Sequence, residues 1–438
     1  MTVPRPSGRL CAWGCAASAL FLLRAAVPGL SALPWLALGV LGVLVAADAL
    51  LLRRAEFSVA RVLSPRLSLD RPAAASVEVT SRSPFGLEVA ATDDLHPALE
   101  GNCAPGRHAL LPGGTLSIGY EAVPRARGEH ALGDVHLRIS GPLGMAWVQR
   151  TFPCPATVKV YPDWGIVSSY EALLLSGRTR QIGMRSVRET GEGWEFANLR
   201  DFQAGDDPRH LDWKSSRRRA KLTWRTREPE RQQEVLILVD TGRLSTSLWK
   251  GRERLEVVLR AAGLLAWVVS RSHDAVGIVT FSSKVHQSLK PVSGPRAVPR
   301  IREILLHAES DLTEPDYGEA FAAARSLLGK RSLVLLFSEP VGTSLSSGIR
   351  DQFRATGRRH LNAMVAMRDP EVWRRAAAPA RGTSDLVLRA AAEAHIQERQ
   401  RALADLRAGG VLLVDAFPED LAPSVVNRYL RIKAERRL

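Results

Sequence analysis

The chain has 438 residues, enough for two or three domains, and 45% of them are hydrophobic, which excludes a globally disordered chain. Lysine and arginine number 60 against 45 aspartates and glutamates, for a net charge of +15. The basic residues are spread along the chain without a zinc-finger, RRM or basic-zipper pattern, so the charge reads as a generally basic surface and no specific nucleic-acid module is expected.

Two apolar runs come first, at residues 10–30 and 33–52. The second, LPWLALGVLGVLVAADALLL, has a single acid, Asp48, near its end, and is long enough to cross about 30 Å of hydrocarbon as a helix. The first contains Arg24, which can snorkel from near a helix end. Residues 27–34, VPGLSALP, read as a tight turn between them. Arg5, Arg9, Arg53 and Arg54 flank the outer ends against Arg24 at the turn, an asymmetry that predicts both ends in the cytoplasm and a multi-pass protein of the inner membrane. A cleaved signal peptide is the alternative, and it would still leave the second run as an anchor. Cys103 and Cys154 stand alone, with no CxxC and no histidine at ligand spacing, so no zinc site is expected and both thiols are expected to stay reduced.

Residues 56–162 carry short alternating segments broken by Pro and Gly, such as TLSIGYEAV, HALGDVHLRI and ATVKVYPDW. Their spacing predicts an antiparallel β-sandwich of immunoglobulin-like type. Asp93-Asp94 before Leu95-His96-Pro97 reads as a capped turn. Residues 163–233 form a connector, with a helix expected in SYEALLLSGR and Trp194, Trp213 and Trp224 expected to pack it onto the next domain. From 234 to 438 the pattern alternates. Buried-strand candidates are 234–240, 275–283, 332–339, 360–367 and 410–417, and amphipathic helices are expected at 254–271, 299–309, 316–328 and 385–406. This predicts an α/β, doubly wound, mostly parallel sheet, with ligands bound beyond the strands' carboxyl ends, where Asp240, Glu339, Asp369 and Asp415 fall.

The densest cluster of chemistry is RDFQAGDDPRHLDWKSSR at 200–217, followed by the strand EVLILVD and Thr241. Gly205, Asp206, Asp207, Pro208 and Arg209 have turn chemistry, and Asp212, Trp213, Ser216 and Arg217 mix acid, aromatic, hydroxyl and base. The pattern GDD-x-R-x-(I/L)-DW-x-S-x-R before a strand ending in Asp-Thr resembles the signature of the bacterial "domain of unknown function 58" family. That resemblance covers about residues 10 to 430. It implies a membrane-anchored chain with a β-sandwich before the signature and a von Willebrand factor A-like domain after it, so with the two apolar runs the expected fold is a transmembrane helical hairpin, a β-sandwich, then the α/β domain. It also implies partners, MoxR-type AAA+ ATPases and other von Willebrand A proteins, in complex assembly or envelope processes.

A von Willebrand A domain often holds Mg²⁺ through Asp-x-Ser-x-Ser, a Thr and a distal Asp. Here Asp240 remains, Gly242 and Leu244 replace both hydroxyls, Arg243 adds a positive charge, Thr313 is near the Thr position, and Glu339 alone matches the distal acid. The expectation is a degenerate site at Asp240 and Glu339 to which Mg²⁺ adds little. No GxSxG, GxxxxGK[ST] or HExxH is present. His210 beside Asp212 is a structural pair before it is an acid–base pair. The reading is a membrane-anchored, non-enzymatic adaptor with Asp–Arg pairs and a buried Trp213 in the signature. A metal-dependent hydrolase using Asp240 and the signature acids is the alternative. So is anionic-lipid or nucleic-acid binding through the basic surface.

Overall fold

A computed structural model describes residues 5–26, 32–103, 106–163, 194–201, 213–219, 221–229, 232–340 and 343–435. The chain divides into two compact units, Met1–Asp163 and Trp164–Leu438. The described parts of the connector read from the sequence, from Trp194 on, fall in the second unit.

The first unit opens with a short strand β1 (Arg5–Pro6) and helices α1 (Gly8–Ala26) and α2 (Leu33–Arg54). Among the described residues, α2 alone is long and apolar enough to cross a membrane, with a mean hydropathy of 2.3 and only 11% of its apolar window buried. Trp35 at its start meets Phe21 of α1 edge-on at 5.3 Å. Most of the turn expected at 27–34 lies outside the described residues.

Eleven strands follow: β2 (Phe57–Leu63), β3 (Arg66–Ser68), β4 (Ala73–Ser81), β5 (Leu87–Asp93), β6 (Leu99–Glu100), β7 (His108–Leu110), β8 (Thr115–Pro124), β9 (Gly128–Leu132), β10 (Val135–Ser140), β11 (Ala146–Phe152) and β12 (Ala156–Tyr161). They form sheets in the orders β1-β11-β10-β5-β7, β2-β4-β8-β6 and β3-β12-β9. Side chains of a strand alternate between faces. Val77, Val79 and Ile118 of the four-stranded sheet thus share one core with Val89, Leu137, Ile139 and Val148 of the five-stranded sheet. Asp93 is not a simple turn cap. It lies at the end of β5 with its carboxylate fully buried against Arg61, whose side chain is 3% exposed. Arg61 Nε donates to it at 2.9 Å, Tyr120 donates its hydroxyl, and the guanidinium also reaches the carbonyls of Cys154 and Gly133. All four cysteines are free, and burial with the nearby Asp93 charge pushes the Cys103 thiol up to about 11.

The second unit begins, among the described residues, with an antiparallel pair, β13 (Trp194–Asp201) and β14 (Thr223–Pro229), with a short helix α3 (Trp213–Arg219) between them in sequence. The remaining strands are β15 (Glu234–Asp240), the small hairpin β16 (Leu248–Trp249) and β17 (Arg252–Glu253), then β18 (Ala275–Phe281), β19 (Val285–Val292), β20 (Leu333–Phe337), β21 (Leu361–Met367) and β22 (Leu412–Ala416). The helices are α4 (Arg254–Arg271), α5 (Ala297–Leu306), α6 (Tyr317–Leu327), α7 (Thr343–Gly357), α8 (Pro370–Ala377), α9 (Thr383–Ala408) and α10 (Leu421–Ala434). Six strands form one sheet in the order β19-β18-β15-β20-β21-β22, parallel except for the edge strand β19. Val235, Ile237 and Val239 point into a core with α4, α5 and α10, whereas Leu236 and Leu238 point into a second core with α6 and α7. The order reverses between β15 and β20, so the crevice beyond their carboxyl ends is where such a sheet offers a ligand site.

Candidate functional site

The alternation of side chains decides what meets at that crevice. Asp240 continues the parity of Leu236 and Leu238, and Ser338 continues that of Val334 and Leu336, so both look toward α6. Glu339 has the opposite parity, that of Leu333, Leu335 and Phe337. The neighbour of Asp240 is therefore the hydroxyl before Glu339, not Glu339 itself.

Ser338 Oγ donates to Asp240 Oδ2 at 2.6 Å, and the Tyr317 hydroxyl lies 2.9 Å from Ser338 Oγ and 3.5 Å from Asp240 Oδ2. Tyr317 is the first residue of α6, set there by the Asp316 carboxylate, which accepts the Glu319 amide at 3.1 Å. On the other side, the Gly242 amide donates to Asp240 Oδ1 at 2.8 Å. A Cβ at Gly242 would come within 2.8 Å of the Thr313 carbonyl, so this turn requires glycine for space. Burial pushes the Asp240 carboxyl up to about 6, against the opposing pull of the Ser338, Gly242 and Tyr317 hydrogen bonds. Burial and then the Asp240 charge hold the Tyr317 phenol well above its usual value.

The other expected metal-site groups are turned elsewhere. Ser245 Oγ donates to the Asp240 carbonyl at 2.8 Å, and the Thr313 hydroxyl and amide both go to Asp311. Arg243 pairs with Glu314 at 3.5 Å. Glu339 receives Arg399 Nε at 2.5 Å on one oxygen and Arg254 Nη2 at 3.2 Å on the other. Arg399, 2% exposed, also donates to Asp415 at 2.8 Å, and Arg368 reaches the second Asp415 oxygen at 2.9 Å. Trp373 faces the Arg399 guanidinium at 5.5 Å. Asp369 caps α8 by accepting the Glu371 amide at 2.9 Å. The four strand-end acids read from the sequence lie at or just after the ends of β15, β20, β21 and β22, and each is held by groups of the chain. A hard cation at Asp240 would have to displace the Ser338, Tyr317 and Gly242 donors, a poor fit for a near-octahedral oxygen site. A cavity of about 30 Å³ remains between Asp240, Ser245, Arg254, Ser338 and Glu339, room for one water.

A third cluster follows β18. Ser282 Oγ donates to Asp311 Oδ2 at 2.7 Å and lies 2.8 Å from His286 Nε2. This is not a nucleophilic triad. Ser282 is fully buried, its hydroxyl goes to the carboxylate directly, and Asp311 approaches the same imidazole nitrogen, at 3.7 Å, that Ser282 binds. Slight burial works to raise the Asp311 carboxyl, but hydrogen bonds from Thr313 and Ser282 outweigh it and hold the acid below its usual range.

Of the signature, Gly205, Asp206, Asp207, Arg209, His210 and Asp212 lie outside the described residues. Trp213 was expected as a buried anchor and is instead 68% exposed, at the first position of α3, while Ser216 one turn on is buried and Arg217 exposed. A short helix can bury one stripe only, and here the small hydroxyl side occupies it. Arg254, Arg399, Tyr317 and Ser338 were not singled out in the sequence. No local motif marks them, because their partners come from other strands and helices.

Residues 198–408 match the family model "Protein of unknown function DUF58". The chain is 26% identical over 267 residues to the uncharacterized protein YeaD of Bacillus subtilis (strain 168), covering 59% of this chain. The chain spans 63% of that relative's length. Among solved structures, an uncharacterized membrane spanning protein from Vibrio fischeri is 14% identical with a TM-score of 0.18, covering 47% of this chain and 98% of that one. A CARDB domain from Pyrococcus furiosus is 9% identical with a TM-score of 0.17, covering 24% and 88%.

Proposed function

We propose that this chain is a membrane-anchored, non-enzymatic adaptor. Its helices α1 and α2 would tether an immunoglobulin-like sandwich, and a von Willebrand A-like unit would present its strand-end face to a MoxR-type AAA+ ATPase. The observation that carries the reading is the state of the switch-point crevice. Asp240 and Glu339 are taken up by protein partners, and the space left between them is about 30 Å³, too small for a substrate, while the larger hollow of about 560 Å³ lies apart from Asp240, beside Arg368 and Asp415 at the end of β22. The loops at that end of the sheet expose apolar tips, Leu248 at 70% and Leu312 at 77%, which suits contact with another protein. The ATPase partner comes from the resemblance of the signature, whose residues lie within the family match.

Cytoplasmic placement of both units rests on the arginine asymmetry. It is supported by the way the two outer ends of α1 and α2 are tied to one strand: β1 pairs with β11, and Arg150 of β11 donates to the carbonyls of Leu52 and Ala55 at the end of α2. Both outer ends then lie on the same side of a membrane.

The test is retention of the ATPase by the detergent-solubilised full chain when hydrolysis is blocked and ATP is bound. ATP-dependent retention that is lost in Leu248→Asp/Leu312→Asp, with unchanged melting, supports the adaptor. Absence of retention with and without ATP would overturn it, and Mn²⁺- or Mg²⁺-dependent turnover lost in Asp240→Asn would favour the hydrolase instead.

A further inference from the structure

We infer that the turn between β10 and β11, with the Arg5–Trp147–Arg138 stack beside it, dips into the membrane interface and binds anionic phospholipid headgroups. The inference rests on α2 being a membrane span.

The length of α2 available to lipid is the starting point. Asp48, fully buried, accepts the amides of Leu143 at 3.1 Å, Met145 at 2.9 Å and Ala146 at 2.9 Å. Leu52 and Ala55 lie in the core of the β-rich unit. The stretch free of these contacts, Leu33 to Ala47, rises only about 22 Å at 1.5 Å per residue. The hydrocarbon layer is about 30 Å thick. The missing length is supplied if the turn that rides beside Asp48 sits at the level of the headgroups and the first acyl carbons.

The turn is suited to leave water. Its sequence from Gly141 to Ala146, GPLGMA, has no charge, and Pro142 and Leu143 are exposed at its tip. Every amide in it has an acceptor: Asp48 takes three, Gly141 N reaches the Ala146 carbonyl at 3.1 Å, and Gly144 N the Gly141 carbonyl at 2.9 Å. Ser7 donates its amide to the Met145 carbonyl at 3.0 Å and its hydroxyl to the Gly144 carbonyl at 2.6 Å. Backbone groups paired in this way lose little when lipid replaces water. Glycine is required at 141, where a Cβ would come within 2.1 Å of the Asp48 carboxylate, and at 144, where φ is +68°.

Beside the turn, Trp147 donates its indole N–H to the Pro6 carbonyl at 3.0 Å. Arg138 lies 3.9 Å and Arg5 5.5 Å from its ring centroid. Arg53 and Arg54 end α2. All four arginines are exposed, and none pairs with a carboxylate among the described residues. A tryptophan flanked by arginines, level with a helix end, is the chemistry that takes up lipid phosphate at an interface.

The test uses the full chain in detergent, melted with phosphatidylglycerol or phosphatidylcholine added. The expected result is a rise of several degrees with phosphatidylglycerol only, abolished in Arg5→Gln/Arg138→Gln and kept in Arg5→Lys/Arg138→Lys. Equal shifts with both lipids, or a phosphatidylglycerol shift retained in the Gln variant, would overturn headgroup recognition. Depth is read in vesicles from a fluorophore at Leu143→Cys in a Cys11→Ser/Cys15→Ser/Cys154→Ser background, with Cys103 buried. Quenching by brominated lipid supports the immersed turn, and quenching by aqueous iodide alone refutes it. Carbonate extraction of the wild type separates the two readings: if the chain leaves the membrane, the span itself is wrong, whatever the turn does.

Discussion

Ser338 Oγ donates to Asp240 Oδ2 at 2.6 Å, across the two parallel strands where the order of the sheet reverses. This single contact makes the Asp240 crevice a closed hydrogen-bonded cluster. It completes a relay from the Tyr317 phenol through the serine to a carboxyl that burial pushes up to about 6.

Asp240 titrates at about 6 in the fold against a usual value of 3.8, so the folded state binds the proton more tightly. Its contribution to stability is full below about pH 4 and falls as pH rises through about 6, by up to roughly 3 kcal/mol. Asp240→Asn is expected to flatten this pH dependence and to melt higher than wild type at pH 8. Urea titrations at pH 4.5 and 8 check it, and a variant less stable at pH 8 would contradict the assignment.

Magnesium is expected to leave the melting temperature unchanged, since Asp240 already accepts from the Gly242 amide and the Ser338 hydroxyl, with the Tyr317 hydroxyl closing over the serine. A ligand that binds only the folded state raises the melting point by mass action. A Mg²⁺-dependent rise that vanishes in Asp240→Ala would show a working cation site.

Arg399 bridges Glu339 and Asp415 from a position 2% exposed. Arg399→Met removes one of the two arginines that hold Glu339 and one of the two that hold Asp415, leaving Arg254 and Arg368, at a cost of up to about 3–5 kcal/mol. The double variant with Glu339→Gln should cost less than the sum of the singles, because the two share one network. The exposed Arg389–Glu393 pair is the control, and Arg389→Ala should change stability by less than about 1 kcal/mol. Additive behaviour of Arg399 and Glu339 in denaturant melts would refute the coupling.

Asp48→Ala removes the acceptor of three amides in the β10–β11 turn. Each amide left unpaired and buried costs about 1–3 kcal/mol. The variant should melt well below wild type in detergent, with Asp48→Asn between the two. Unchanged melting would mean the helix end is not locked to the turn.

Trp213→Ala should stay within about 0.5 kcal/mol of wild type, because the ring is 68% exposed. Normal melting with loss of ATPase retention would assign the tryptophan to docking. A loss of several kcal/mol would restore the buried anchor expected from the sequence.

Local periodicity made most elements of the second unit legible. Strand β15 and helix α4 fall on the residues read from the pattern, since EVLILVD is a continuous apolar run and the helix repeats apolar residues at helical spacing. The edge strand β19 was missed because its alternation, half exposed, follows β18 without a strong turn signal, and α7 because its residues are largely polar. What the sequence alone determined is therefore which segments bury which faces, together with the single acid in an apolar helix and the acids at the strand ends. Only the tertiary structure decided their partners. Asp93 meets Arg61 across 32 residues, Asp48 meets Ala146 across 98, and Glu339 meets Arg399 across 60. Hydrophobic patterning is a property of neighbours in the chain. A buried charge takes its partner from whichever strand or helix the sheet order brings beside it, and that order is written in no local window of the sequence.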